Sequence, residues 1–237
     1  MNEEKIVDML IESYDIGRSL SSCLDVNFLN YLASCDLDDI RIWLAKALIN
    51  DDSESVAVQL LCELSQDKEP LVRAEAVDSL RVFVCQESFH ALRVAIRDSD
   101  ELVRAYAVFG IAMVGETIDP VKTQNILQDL IATEDSFHVL IGAYEGLYLL
   151  GQKDYLAELF NLFKSDNYSV QCSVLHALED ILDCENRKQI QTFLTSLSLS
   201  EYPYAVSDTI LQVKQRIEDS FQGQGQGDGS VVPSESE

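Results

Sequence analysis

The chain has 237 residues, 47% of them hydrophobic, and its 17 Lys and Arg stand against 41 Asp and Glu for a formal charge of −24. Such a field repels phosphate backbones and draws cationic surfaces, which argues against DNA or RNA as a ligand. Met1–Glu12 carries acids in place of a basic leader and no apolar run nears the roughly 20 residues of a membrane span, so no membrane association is expected and the protein is read as cytoplasmic.

In chain order, Lys5–Ser13 and Val26–Ala33 have helical apolar spacing but no repeat signature, and are read as a capping pair within residues 1–35. First helices are then expected near 38–49, 70–83, 101–114, 136–150, 167–182 and 203–219. Second helices are expected near 54–64, 87–97, 121–132, 153–164 and 186–197. The joints are short and polar, as at Asp51-Asp52, Gln66-Asp67, Arg97-Asp98-Ser99-Asp100, Asp119-Pro120 and Glu134-Asp135, which implies antiparallel hairpins. Pro70, Pro120 and Pro203 fall at helix starts, where a missing amide proton costs little.

Ile40, Val72, Val103, Val139 and Val170 share one register, and three places further on stand Trp43, Glu75, Tyr106, Gly142 and Ser173. Trp43, among Ile40, Leu44 and Ala47, is read as core. The step lengthens between Val103 and Val139, which predicts a longer loop or a change of curvature around Gly115–Val121. From 221 to 237 the Gln/Gly run and the closing Pro-Ser-Glu-Ser-Glu have little to bury, so a disordered tail is expected.

The segment from Asp67 to Val77 returns 31 residues later as Asp98 to Val108, and both carry Asp-x5-Arg-Ala-x-Ala-Val. This motif resembles HEAT repeats, in particular the short repeats of phycobilin lyases, over roughly residues 36–220. The resemblance implies an all-α, right-handed α-solenoid of about six antiparallel helix pairs, a single domain over 1–220 with capping helices at 1–35 and repeats at 36–220. It also implies that Asp67, Arg73, Asp98 and Arg104 form a structural ladder between neighbouring repeats, since a guanidinium fork satisfies carboxylates and turn carbonyls together. The matching positions elsewhere are Cys35 and Arg41, Glu134 and Leu140, Ser165 and Gln171, so the ladder is expected to break after the Arg104 repeat.

No nucleophile elbow, P-loop, Gly-x-Gly-x-x-Gly or His-Glu-x-x-His motif occurs in the sequence. His90, His138 and His176 lie on different expected helices without a paired ligand at i+3 or i+4. They are followed by Ala91, Val139 and Ala177, not by the glutamates of the iron-holding deoxyhypusine hydroxylases. The acidic chain has the wrong sign for HEAT-like DNA glycosylases. No catalytic residue, metal or cofactor is assigned, and the chain is read as a non-enzyme. His176 is expected to pack within its helix. The six cysteines form no Cys-x-x-Cys pair and are read as reduced, small buried hydrophobes.

HEAT-like solenoids tend to line their concave side with the second helix of each pair. Removing the apolar stripe from those helices leaves Gln59, Glu63, Glu87, His90, Arg93, Gln124, Gln128, Tyr155 and Glu158 as the partner-binding surface. Acidic corners at Asp36, Asp38, Asp39, Asp51, Asp52, Asp98, Asp100 and Glu101 offer a second edge. The function expected is capture of a basic protein partner, in its sharpest form an immunity or inhibitor protein that neutralises a bacterial toxin. A bilin lyase or lyase subunit and a passive scaffold or adaptor are the alternatives, with partner identity and oligomeric state open.

Overall fold

A computed structural model of the chain describes residues 2–222. Among them are thirteen α-helices and no strand: α1 (Glu3–Asp15), α2 (Val26–Ala33), α3 (Asp38–Ala47), α4 (Glu54–Leu64), α5 (Pro70–Leu80), α6 (Gln86–Ala95), α7 (Glu101–Ile118), α8 (Pro120–Ile131), α9 (Phe137–Leu149), α10 (Tyr155–Leu162), α11 (Tyr168–Asp180), α12 (Arg187–Ser196) and α13 (Tyr204–Gln222). The polar joints cap the helices they introduce. Asp25, Asp100, Asp119, Ser136 and Asn167 each accept a hydrogen bond from an amide two or three residues on, and Pro70 and Pro120 occupy first turns.

Among the described residues the Cα packing forms two compact units, the first ending at Lys153 and the second beginning at Asp154. The first ends at a turn where Gly151 takes φ +95°, a conformation that a side chain would strain.

In the first unit α1 packs on α3, α3 on α5, α5 on α7 and α7 on α9, so these helices form one continuous layer. The register residues Ile40, Val72, Val103 and Val139 are all buried within the unit, alongside Leu44, Leu61, Leu80, Leu92, Ile111, Leu127 and Leu147. The second layer is looser, because α2, α4 and α6 touch their neighbours in that layer far less. α1 joins the tight layer through fully buried Leu10, and the loop before α2 is pinned by buried Asp51, whose carboxylate accepts the Ser21 amide at 2.8 Å and the Ser21 hydroxyl.

Small residues permit the close layer. A Cβ placed on Gly142 would meet Val108 Cγ1 at 3.3 Å, and one on Gly146 would meet Ala112 Cβ at 2.6 Å and Leu127 Cδ1 at 3.2 Å. Gly146→Ala is therefore expected to lower the stability of the unit by about 1–3 kcal/mol, read as an earlier urea midpoint. An unchanged midpoint would show that α7 and α9 have room to separate.

The lengthened step produces no loop at Gly115–Val121, one of the two outcomes expected there. Instead α7 continues to Ile118, and Asp119 alone joins it to α8. Continuation depends on Gly115, where a Cβ would overlap the Thr123 side chain and push α8 away.

In the second unit α11 packs on α13, α10 on α11 and α12 on α13, around Leu159, Val174, Leu178, Ile190, Leu194, Ile210 and Val213. Phe160 stacks on Phe193 at 4.4 Å between ring centroids, and Phe163 meets the same ring edge-on at 5.3 Å. α13 runs to Gln222, past the expected start of the tail at 221. The rest of that segment, 223–237, lies outside the described residues.

Candidate protein-binding grooves

The tight layer is fastened by a ladder of arginine forks. Arg41 Nε and NH2 donate to Asp67 at 2.7 and 3.1 Å, Arg73 to Asp98 at 2.8 and 2.7 Å, and Arg104 to Glu134 at 2.9 and 3.1 Å. In each case the other terminal nitrogen donates to the carbonyl six residues back, on Cys35, Asp67 and Asp98 at 2.6, 2.9 and 3.0 Å. This explains the fixed spacing of the motif. The arginine closes its own turn and reaches the next one, so Cys35 can replace an aspartate because only its carbonyl is used. Gln171 keeps half the role, donating to the Ser165 carbonyl at 2.8 Å, whereas Leu140 has no donor.

Each rung carboxylate also accepts the amide two residues on, from Glu69, Asp100 and Ser136 at 2.9 Å. Burial pushes Asp67, Asp98 and Glu134 upward, but the arginine and amide hydrogen bonds outweigh it and hold all three carboxyls below their usual range.

The column Trp43, Glu75 and Tyr106 lies on this tight layer. Trp43 is half-buried, not core, with Tyr14 edge-on at 6.3 Å and Lys46 Nζ 5.0 Å from its ring centroid. Lys46 pairs with Glu75 at 3.2 Å, Arg81 pairs with Asp78 at 2.9 Å, and the Arg81 guanidinium lies over Phe109 at 5.5 Å. Burial, then Asp78 and Glu75, raise the Tyr106 hydroxyl above its ordinary value. The centre of this face is aromatic and polar, and its charges at Lys46, Glu75, Asp78 and Arg81 are paired.

The loose layer differs in both respects. Between α4 and α6 opens a groove of about 1030 Å³, at the top of the roughly 300–1,000 Å³ range of small-molecule pockets and thus roomy enough for a helix face. Val58, Cys62 and Cys85 line it, with Glu54, Gln59, Glu63, Gln66 and Glu87 around them. Glu54, Glu63 and Glu87 are exposed and make no ion pair among the described residues; Glu63 accepts only the Gln59 amide at 3.2 Å. Burial first, then Cys85, Glu87 and Glu63, push the Cys62 thiol up to about 11, so it stays protonated and unreactive at neutral pH. The cysteines are not the buried hydrophobes the sequence suggests, since Cys23 and Cys184 are exposed and the other four intermediate, all unpaired.

Of the partner-surface residues, the structure brings Gln59, Glu63 and Glu87 together in this groove. His90 joins Glu87 in a smaller neighbouring opening along α6, and Arg93 bonds His90 Nδ1 at 3.2 Å. Gln128 is exposed on α8, but Gln124 is committed to the fold, donating to the Leu150 carbonyl at 2.7 Å and meeting Gln152 at 3.4 Å. Tyr155 and Glu158 belong to the other unit. The acidic edge also thins out: Asp51 is buried, Asp98 sits in a rung, and Asp100 caps α7. His176, expected to be packed, is exposed, and His138 is half-buried. Among the described residues no group of three His, Cys, Asp or Glu could hold a metal ion, and no helix is long and apolar enough to cross a membrane.

Residues 89–179 match the family of HEAT repeats. The match runs from Phe89 in α6 to Glu179 in α11, and HEAT repeats are a repeat type suited to protein binding. Among solved structures, the X-ray structure of Escherichia coli YibA is similar at 18% identity and a TM-score of 0.55, over 98% of this chain and 83% of YibA, a likeness of fold. No curated protein matches the chain.

Proposed function

We propose that the protein is a non-enzymatic, cytoplasmic binding module whose α4–α6 groove captures a basic protein partner. The observation that carries this reading is a cluster of unpaired charge around a cavity: Asp67, Asp98 and Glu134 are held in rungs and Glu75 and Asp78 in ion pairs, whereas Glu54, Glu63 and Glu87 surround an open apolar floor and form no ion pair among the described residues. Carboxylates without partners steer and hold cations, while paired ones do not. An inhibitor that shields a cationic toxin is the sharpest form of this reading.

A synthetic amphipathic helix with leucine on one face and lysine on the other serves as the probe. Binding should weaken steeply as ionic strength rises. Glu63→Lys combined with Glu87→Lys should leave the fold intact and slow association by about tenfold at low salt. Binding that ignores salt, or an unchanged association rate in the double variant, would contradict the proposal. A spectral shift on mixing with an open-chain tetrapyrrole would favour the bilin-lyase alternative instead.

A further inference from the structure

α6 has a groove on each side, and the second has the opposite sign. Between α6 and α8, Ile96, Ile126 and Leu130 form the floor of an opening about 910 Å³ in volume, and Arg93, Arg97 and Lys122 stand around it with Val94, Asp129 and Thr133. We propose that this groove is a docking site for an acidic, amphipathic helical segment of a partner protein.

The distribution of the basic side chains points there. In the first unit Arg41, Arg73 and Arg104 are held in rungs, and Arg18, Lys46 and Arg81 are paired with other carboxylates. Arg93, Arg97 and Lys122 have no carboxylate within ion-pair distance among the described residues, and these three converge on one groove, Lys122 with its Nζ 5.7 Å from the Phe89 ring centroid, whereas Lys5 and Lys68, also outside any ion pair, are exposed and line none of the grooves described. Asp129, on the same wall, forms no ion pair with any of them.

At physiological ionic strength the screening length is about 8 Å, so a ligand seated in the groove responds to its rim and not to the net charge. The floor selects among anions. Exposed Val94 and half-buried Ile126 and Leu130 offer apolar surface that a leucine-bearing helix covers at i, i+3 and i+4 spacing, whereas a polyphosphate leaves it wet. Because α6 and α8 make little direct contact, the gap accepts an inserted helix without breaking existing packing.

The test uses the full chain and a synthetic amphipathic helix with leucine on one face and glutamate on the other, measured by fluorescence anisotropy. The wild type should bind it, and Arg93→Glu combined with Arg97→Glu should weaken it about tenfold while leaving the lysine-faced helix unaffected. Lys122→Glu, on the other helix, should weaken it independently. Equal binding by the wild type and both variants, or preference for a single-stranded oligonucleotide over the peptide, would overturn the proposal. Loss of lysine-helix binding on Glu63→Lys and Glu87→Lys reports the other groove, so each assignment stands or fails separately.

Discussion

Replacing Arg73 by alanine is expected to destabilise the first unit by about 3 kcal/mol, measured by urea unfolding. The side chain makes two short hydrogen bonds to Asp98 and two more to the Asp67 and Lys68 carbonyls, and both partners of the ion pair are only 13% exposed. Its removal leaves a mostly buried carboxylate without its cation and two turn carbonyls without a donor, which is why the loss exceeds that of a surface pair. Arg73→Lys should recover only part, because an ammonium has no planar fork to span carboxylate and carbonyl together. A cost below that of an exposed ion pair would mean that water replaces the guanidinium without penalty.

The ladder also sets the response to acid. Asp67, Asp98 and Glu134 have folded pKa values below those of the unfolded chain, so their contribution is fully present above about pH 4–5 and is lost as the pH falls through the depressed folded values. Arg73→Ala should therefore lose much of its penalty at low pH, where Asp98 is protonated. A penalty independent of pH would assign the role of Arg73 to the turn carbonyls.

The second large effect concerns the core. Leu80→Ala and Ile111→Ala are each expected to cost about 2–5 kcal/mol, since both side chains are fully buried between helices and their removal leaves a cavity that the close layer cannot collapse into. Because hairpins in an array touch mainly their neighbours, the damage should be local, with amide exchange accelerating first in α5, α6 and α7. A neutral substitution at either place would displace the repeat register by which the core is defined.

That register is the part most legible from sequence. The buried column from Ile40 to Val170 and the polar joints follow from periodicity and capping chemistry alone, and the helix limits agree closely with the observed ones. The ladder is legible in part. Asp-x5-Arg marks the closing of each turn, but the forward partner of Arg104 is a glutamate, one methylene longer than the aspartate of the motif, and the Arg41 turn uses a cysteine carbonyl.

Helix spacing is not legible in the same way. Apolar stripes show which faces are buried, while the distance between neighbouring helices depends on contacts such as Gly146 against Ala112, which couple residues far apart in sequence. For that reason the tight packing of α3, α5, α7 and α9 is not foreseen, nor is the half-buried column of Trp43 and Tyr106 beside the Lys46–Glu75 and Arg81–Asp78 pairs. For the candidate site, sequence supplies Glu63, Glu87 and Arg93 as exposed side chains. Only the structure divides them between an acidic and a basic groove on opposite sides of α6, and only the structure shows Gln124 to be occupied.

The central claim is that binding occurs on the loose layer, where Glu54, Glu63 and Glu87 stand unpaired around an apolar floor, and not on the tight one. Amide exchange of the full chain with and without the lysine-faced helix tests it most directly. The account predicts slowed exchange in α4 and α6, centred on Glu63 and Glu87. Protection confined to α3, α5 and α7 around Trp43 and Tyr106 would contradict it.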